Sequence, residues 1–227
     1  MIETHRNGIK VALINNYSEG SGLERIPRLK HIFKLFPATF DEIQYHDLPV
    51  SERLNQEYDC VILSGSVMNI SKPDHRQKME AEIRLIRDIK IPVLGICFGL
   101  HLAAHAFGAK VEYNENSKER NTEIPIDIKN DPEKLIGVDR HTVNVWHKDY
   151  ISPSDQKFLK LFEVRATSDD GRFKYVQYAK HKERPLFCVQ FHPECFDDTD
   201  EAVRMDGERI IHNFLRFAKG ERNVAVR

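Results

Sequence analysis

Short apolar runs alternate with helical patterns through the first half of the chain. Residues 9–14 (Ile-Lys-Val-Ala-Leu-Ile) form the first run. The Gly-rich stretch Ser18-Glu19-Gly20-Ser21-Gly22 follows, then a helical pattern over 23–36 and a second strand at 40–45. Residues 59–63 and 92–96 are almost wholly apolar, as expected of strands covered on both faces. Between them, Met79, Ile83, Ile86 and Ile89 recur at helical spacing among charges, which predicts one amphipathic surface helix over 73–90. Residues 99–107 read as a further helix, with Gly108 placed as its C-terminal cap.

Beyond Gly108 the period changes. Residues 110–113, 123–128, 141–146, 162–167, 173–178 and 186–190 read as strands with few helices between them, and a last helix covers 200–218. Strand–helix units followed by strand-dense sequence predict an α/β fold: a mostly parallel central sheet, extended by antiparallel strands, between helices on both faces. With no repeat and no long linker, the 227 residues are expected to form one domain, its core spanning about 9–219.

Composition adds mainly exclusions. Lys+Arg of 34 against Asp+Glu of 35 leaves a net charge of −1, so nothing in the totals steers the chain to nucleic acid or an anionic membrane. No segment approaches the roughly 20 apolar residues of a membrane span. The polar N-terminus lacks an apolar signal core. Cys60, Cys97, Cys188 and Cys195 have neither CxxC nor zinc-like spacing, which suits a reduced, cytoplasmic compartment.

Two segments carry chemistry. Gly95-Ile96-Cys97-Phe98-Gly99 stands between a buried strand and a helix, the arrangement of a nucleophile elbow with sulfur as the nucleophile. A sharp strand-to-helix turn demands small neighbours, and the helix start directs N–H groups at the thiol. Far downstream, Gln190-Phe191-His192-Pro193-Glu194 ends another apolar strand. His192 can hold the thiol proton while Glu194, two residues on, fixes the ring.

Together these segments resemble the signature of the class I glutamine amidotransferases, over about residues 10–218. The resemblance implies a flavodoxin-like, three-layer fold and hydrolysis of glutamine through a γ-glutamyl thioester on Cys97, with His192 and Glu194 completing a triad. It also implies an oxyanion hole from the N–H groups of Gly65 and Phe98, substrate contacts near Ser66, and no cofactor. Where the family usually reads Ser-Gly-Gly-Pro, this chain has Ser64-Gly65-Ser66-Val67.

Where the family carries a substrate-holding Gln, four residues after the nucleophile, this chain has His101. That substitution makes another γ-glutamyl compound, such as a γ-glutamyl peptide, the alternative substrate to glutamine. His147 and Asp149, with Ala166-Thr167-Ser168 downstream, look like the H-x-D and A-T-S segments of GMP synthetase glutaminase domains, and mark further substrate contacts. Cys97, His101 and His105 share a helical face but splay too widely for a metal site, so none is expected. No P-loop or pyrophosphatase loop is present, so the ammonia acceptor would be a separate ATP-dependent synthetase subunit. One remaining alternative is a binding or regulatory module on the same fold.

Overall fold

Covering both faces of a sheet requires apolar strands flanked by amphipathic helices, and the chain supplies them in order. A computed structural model describes residues 8–18, 24–194 and 200–221. Residues 19–23, which hold most of the Gly-rich stretch, and Cys195 lie outside the described residues. The first half runs β1 (Ile9–Asn15), α1 (Arg25–Lys34), β2 (Ala38–Gln44), α2 (Ser51–Glu57), β3 (Cys60–Leu63), α3 (Pro73–Lys78), α4 (Glu80–Asp88), β4 (Val93–Ile96) and α5 (Phe98–Ala106). The second runs β5 (Glu112–Tyr113), β6 (Arg120–Asp127), β7 (Arg140–Trp146), β8 (Asp149–Tyr150), α6 (Gln156–Leu161), β9 (Phe162–Asp169), β10 (Lys174–His181), β11 (Leu186–Val189) and α7 (Glu201–Ala218).

The central sheet has seven strands in the order β2-β1-β3-β4-β11-β10-β9. The first five are parallel; β10 and β9 extend the sheet antiparallel. One apolar layer joins Leu29, Ile32 and Phe33 of α1 to Ile210, Ile211 and Phe214 of α7. The opposite layer packs α2, α4, α5 and α6 through Leu54, Ile83, Leu102 and Phe158. The expected α/β architecture, with its antiparallel extension, is therefore the observed one. Among the described residues no helix is long and apolar enough to cross a membrane.

Two expectations need correction. The single helix over 73–90 divides at Met79, whose φ of −95° and ψ of 5° leave the helical path. None of the α3 side chains is buried, whereas Glu82, Ile83, Leu85 and Ile86 of α4 are; the break lets α4 alone lie on the sheet. The strands at 110–113, 123–128 and 141–146 do not extend the central sheet. The first, shortened to β5, pairs with β8, while β6 and β7 form a separate antiparallel pair, which lays Ile126, Val143 and Val145 onto the layer holding α1 and α7.

Candidate active site

The ends of three neighbouring parallel strands, β3, β4 and β11, converge on one cavity. In an open α/β sheet this is the edge where ligands bind. After β4 comes Cys97, with φ 50° and ψ −95°, a conformation that costs a non-glycine residue about 1–3 kcal/mol. Backbone bonds hold it there. Its N–H donates to the Val189 carbonyl at 2.7 Å, and its own carbonyl accepts from Leu100 and His101 at 3.0 and 3.3 Å. The flanking glycines are steric necessities: a Cβ on Gly95 would lie 2.8 Å from the Gly99 backbone, and one on Gly99 would lie 2.8 Å from the Leu63 carbonyl oxygen.

The Cys97 sulfur lies 3.7 Å from the Trp146 carbonyl oxygen and receives the Gln190 carboxamide N–H at 3.5 Å. Burial pushes its thiol up to about 12, against the opposing pull of Arg25 and of the Phe98 N–H. Burial therefore favours the protonated thiol.

β11 delivers the candidate base. His192 is almost fully buried, and its Nδ1 meets Glu194 Oε1 at 2.8 Å. Burial lowers the imidazole below its ordinary range, with the Arg25 charge acting in the same direction. The Trp146 carbonyl and Glu194 act oppositely, favouring a proton on the ring. Burial alone would raise the Glu194 carboxyl, but His192 and Arg25 outweigh it and keep it ionised below its usual value. Burial thus disfavours charge on both the thiol and the imidazole, and both face the Trp146 carbonyl.

After β3 comes Gly65. A Cβ there would meet the Tyr17 hydroxyl at 2.6 Å and His192 Cε1 at 3.1 Å, so glycine alone lets this turn approach His192. Ser66 Oγ donates to the Asn16 carbonyl at 2.7 Å and accepts from Met68 N–H at 3.1 Å. Tyr17, Ser66, Cys97, His101, His147, Asp149 and His192 all border one cavity of about 650 Å³.

A family model described as glutamine amidotransferase class-I matches residues 29–208. The chain is 35% identical to one of the subunits of the glutamine-hydrolysing GMP synthase of Methanocaldococcus jannaschii, over 71% of this chain and 75% of that one. It is 34% identical to the corresponding subunit of Saccharolobus solfataricus, over 82% and 89%. The crystal structure of a glutamine amidotransferase from Thermotoga maritima superposes with a TM-score of 0.70, at 21% identity, over 92% of this chain and 97% of that one. The chain belongs to the class I glutamine amidotransferase family.

Within that family frame, each position singled out for substrate contact has a protein partner of its own. His101, in place of the usual Gln, is buried with Nε2 2.9 Å from Gln190 Oε1. Because Gln190 turns its NH₂ toward the Cys97 sulfur, its oxygen faces His101, and Nε2 is the protonated nitrogen of that ring. His147 binds Glu119 at 2.8 Å, while Asp149 accepts the N–H and hydroxyl of Ser71 at 3.1 and 2.6 Å. Gln177 joins Glu119 to Ser168, so the H-x-D and A-T-S segments meet in one buried network.

Sequence reasoning missed Glu119, which belongs to neither motif. It also missed Arg25, 3.4 Å from Glu194 at the start of α1. The role of Gln190 against the sulfur was likewise not read, although its place within the second motif could have suggested one.

Burial holds the His101 imidazole at about 4, down from an ordinary 6.5. Between those values the unfolded chain binds a proton at residue 101 that the folded chain does not. Stability attributable to this residue is therefore present above about 6.5 and falls as the pH drops toward 4. His101→Gln is expected to shrink the difference between urea midpoints measured at pH 5 and pH 7. An undiminished difference would assign the acid sensitivity elsewhere.

Proposed function

We propose that the chain hydrolyses the side-chain amide of glutamine through a γ-glutamyl thioester and releases ammonia for a separate synthetase subunit, of the GMP synthetase kind. The observation that carries this is the arrival of Gly65, Cys97 and the His192–Glu194 pair at the ends of adjacent parallel strands, with Cys97 and His192 bordering one cavity and Gly65 set against His192.

Cys97 gives its proton to His192 as its sulfur attacks the γ-carbon, and Glu194 stabilises the resulting imidazolium. The Phe98 N–H at the start of α5 and the Gly65 N–H receive the developing oxyanion. Collapse of the tetrahedral adduct expels ammonia with the proton from His192 and leaves the thioester. Water then gives a proton to His192 and attacks the acyl carbon; glutamate departs and the thiol is restored. Burial suits this sequence, because it disfavours charge on either partner until a carbonyl is present to receive it.

The names of the M. jannaschii and S. solfataricus relatives support a synthetase as the ammonia acceptor. A second reading, hydrolysis of γ-glutamyl peptides without a partner, is favoured by His101, whose Nε2 is already committed to Gln190. One assay separates the two. Ammonia release from glutamine and cleavage of γ-glutamyl dipeptides are measured for the chain alone and with an added GMP synthetase ATP-pyrophosphatase subunit. Glutamine hydrolysis stimulated by that subunit supports the amidotransferase. Rapid, unstimulated dipeptide cleavage with little glutamine turnover would replace it with the second reading.

A further inference from the structure

Beneath the Gly65 turn lies a carboxyl group that the mechanism does not use. Glu82 belongs to α4, is fully buried, and turns toward the end of β1. Its Oε1 receives the Asn16 side-chain N–H at 3.2 Å. The same Asn16 amide nitrogen donates to the Ser64 carbonyl at 3.2 Å, and the Asn16 backbone N–H donates to Ser64 Oγ at 2.9 Å. Ser64 Oγ in turn donates to the Gly65 carbonyl at 2.9 Å, and Ser66 Oγ returns to the Asn16 carbonyl. Asn16 thus grips the turn on both sides of Gly65, and Glu82 grips Asn16.

Among the described residues, two buried oxygens in this cluster have no hydrogen-bond donor: Glu82 Oε2 and Asn16 Oδ1. They are the remaining polar atoms of the two groups already joined through Oε1 and Nδ2. An ionised Glu82 would leave both orphaned, with a buried charge sharing one amide N–H. A single proton on Oε2 remedies both, since a carboxylic acid and a primary amide pair through two parallel hydrogen bonds. Burial acts in the same sense and moves the carboxyl up to about 8.

We propose that Glu82 is a neutral positioning residue: as a protonated acid paired with Asn16, it holds the Ser64–Ser66 turn so that the Gly65 N–H faces the oxyanion. The second half rests on the role of Gly65 proposed above.

Glu82→Gln and Glu82→Ala test it. A Gln carboxamide can reproduce both hydrogen bonds, whereas Ala abandons Asn16. The Gln variant is expected to keep kcat within a factor of a few of wild type. The Ala variant is expected to lose about 10- to 100-fold in kcat with little change in KM, as for a displaced oxyanion donor. A merely structural Glu82 would lower the melting temperature of Glu82→Ala while its folded fraction kept full kcat, and that result overturns the positioning role. An anionic role would make Gln as damaging as Ala, and that overturns the neutral acid.

Infrared difference spectra of wild type against Glu82→Gln at pH 7 judge the protonation without any turnover. A protonated-carboxyl carbonyl band confined to wild type is expected, and a carboxylate band in its place defeats the proposal. A wild-type chain without glutaminase activity would defeat the proposed function, while the infrared result would still decide the state of Glu82.

Discussion

Cys97→Ala is expected to lower kcat for glutamine hydrolysis by at least about 10³-fold, and to abolish labelling by glutamine-shaped electrophiles. The remaining machinery cannot form a thioester, so only weak positioning of water survives. A companion variant makes the prediction sharper. At φ 50° and ψ −95°, alanine inherits the strain of the cysteine, whereas glycine adopts such angles freely. Cys97→Gly should therefore be as inactive as Cys97→Ala yet unfold at higher urea concentration. That reverses the usual order, in which glycine is the less stable of the two. Because burial favours the protonated thiol, at neutral pH a small, unspecific alkylating agent should react slowly. Equal stability of the two variants, or substantial residual turnover, would remove Cys97 from the strained nucleophile position.

Gly207→Ala carries the second large effect, at a position far from the cavity in sequence terms. Alanine in the interior of a helix ordinarily gains about 0.5–1 kcal/mol over glycine. In α7 the sign should invert, because a Cβ at residue 207 would lie 2.2 Å from the Pro193 carbonyl oxygen and 3.0 Å from its carbon. These are backbone atoms, so no side-chain rotation relieves the overlap. Either α7 or the Pro193 segment must move, and such overpacking costs about 1–3 kcal/mol. Pro193 joins His192 to Glu194, so a shift there displaces the base relative to the sulfur. Misplacement on the ångström scale costs about 10²-fold in rate. Urea unfolding and kcat measured on the same preparation check both halves. A stabilised, fully active Gly207→Ala would show that the contact between α7 and the Pro193 segment has slack to spare.

The geometry of both motifs was legible because it is local: GxCxG encodes a turn, and His-Pro-Glu places a carboxylate two residues from its imidazole. The apolar runs at 59–63 and 92–96 announced buried strands for the same reason. What escaped was non-local. Glu82 is one of the charges between the apolar positions of an amphipathic helix, and its partner Asn16 is distant in sequence. Glu119 becomes the centre of a network only because β7 and β10 bring His147 and Gln177 to it. Arg25 reaches Glu194 across most of the chain. Nor does the pattern over 73–90 reveal its break, since Met79, Ile83 and Ile86 keep helical spacing through it.

The pairing of β4 with β11 has a consequence for how the protein is made. Leu186 lies opposite Val93 and Val189 opposite Ile96, so the strand that carries the proposed base joins the one that carries the proposed nucleophile only after most of the chain exists. Pairings this distant in sequence form slowly, because the intervening loop must close first. Until then β4 presents an open, wholly apolar edge suited to pairing with other chains. A growing chain therefore acquires its thiol early and its base late. The onset of turnover during refolding should coincide with the last and slowest phase, which makes catalysis itself a clock for the closing of the sheet.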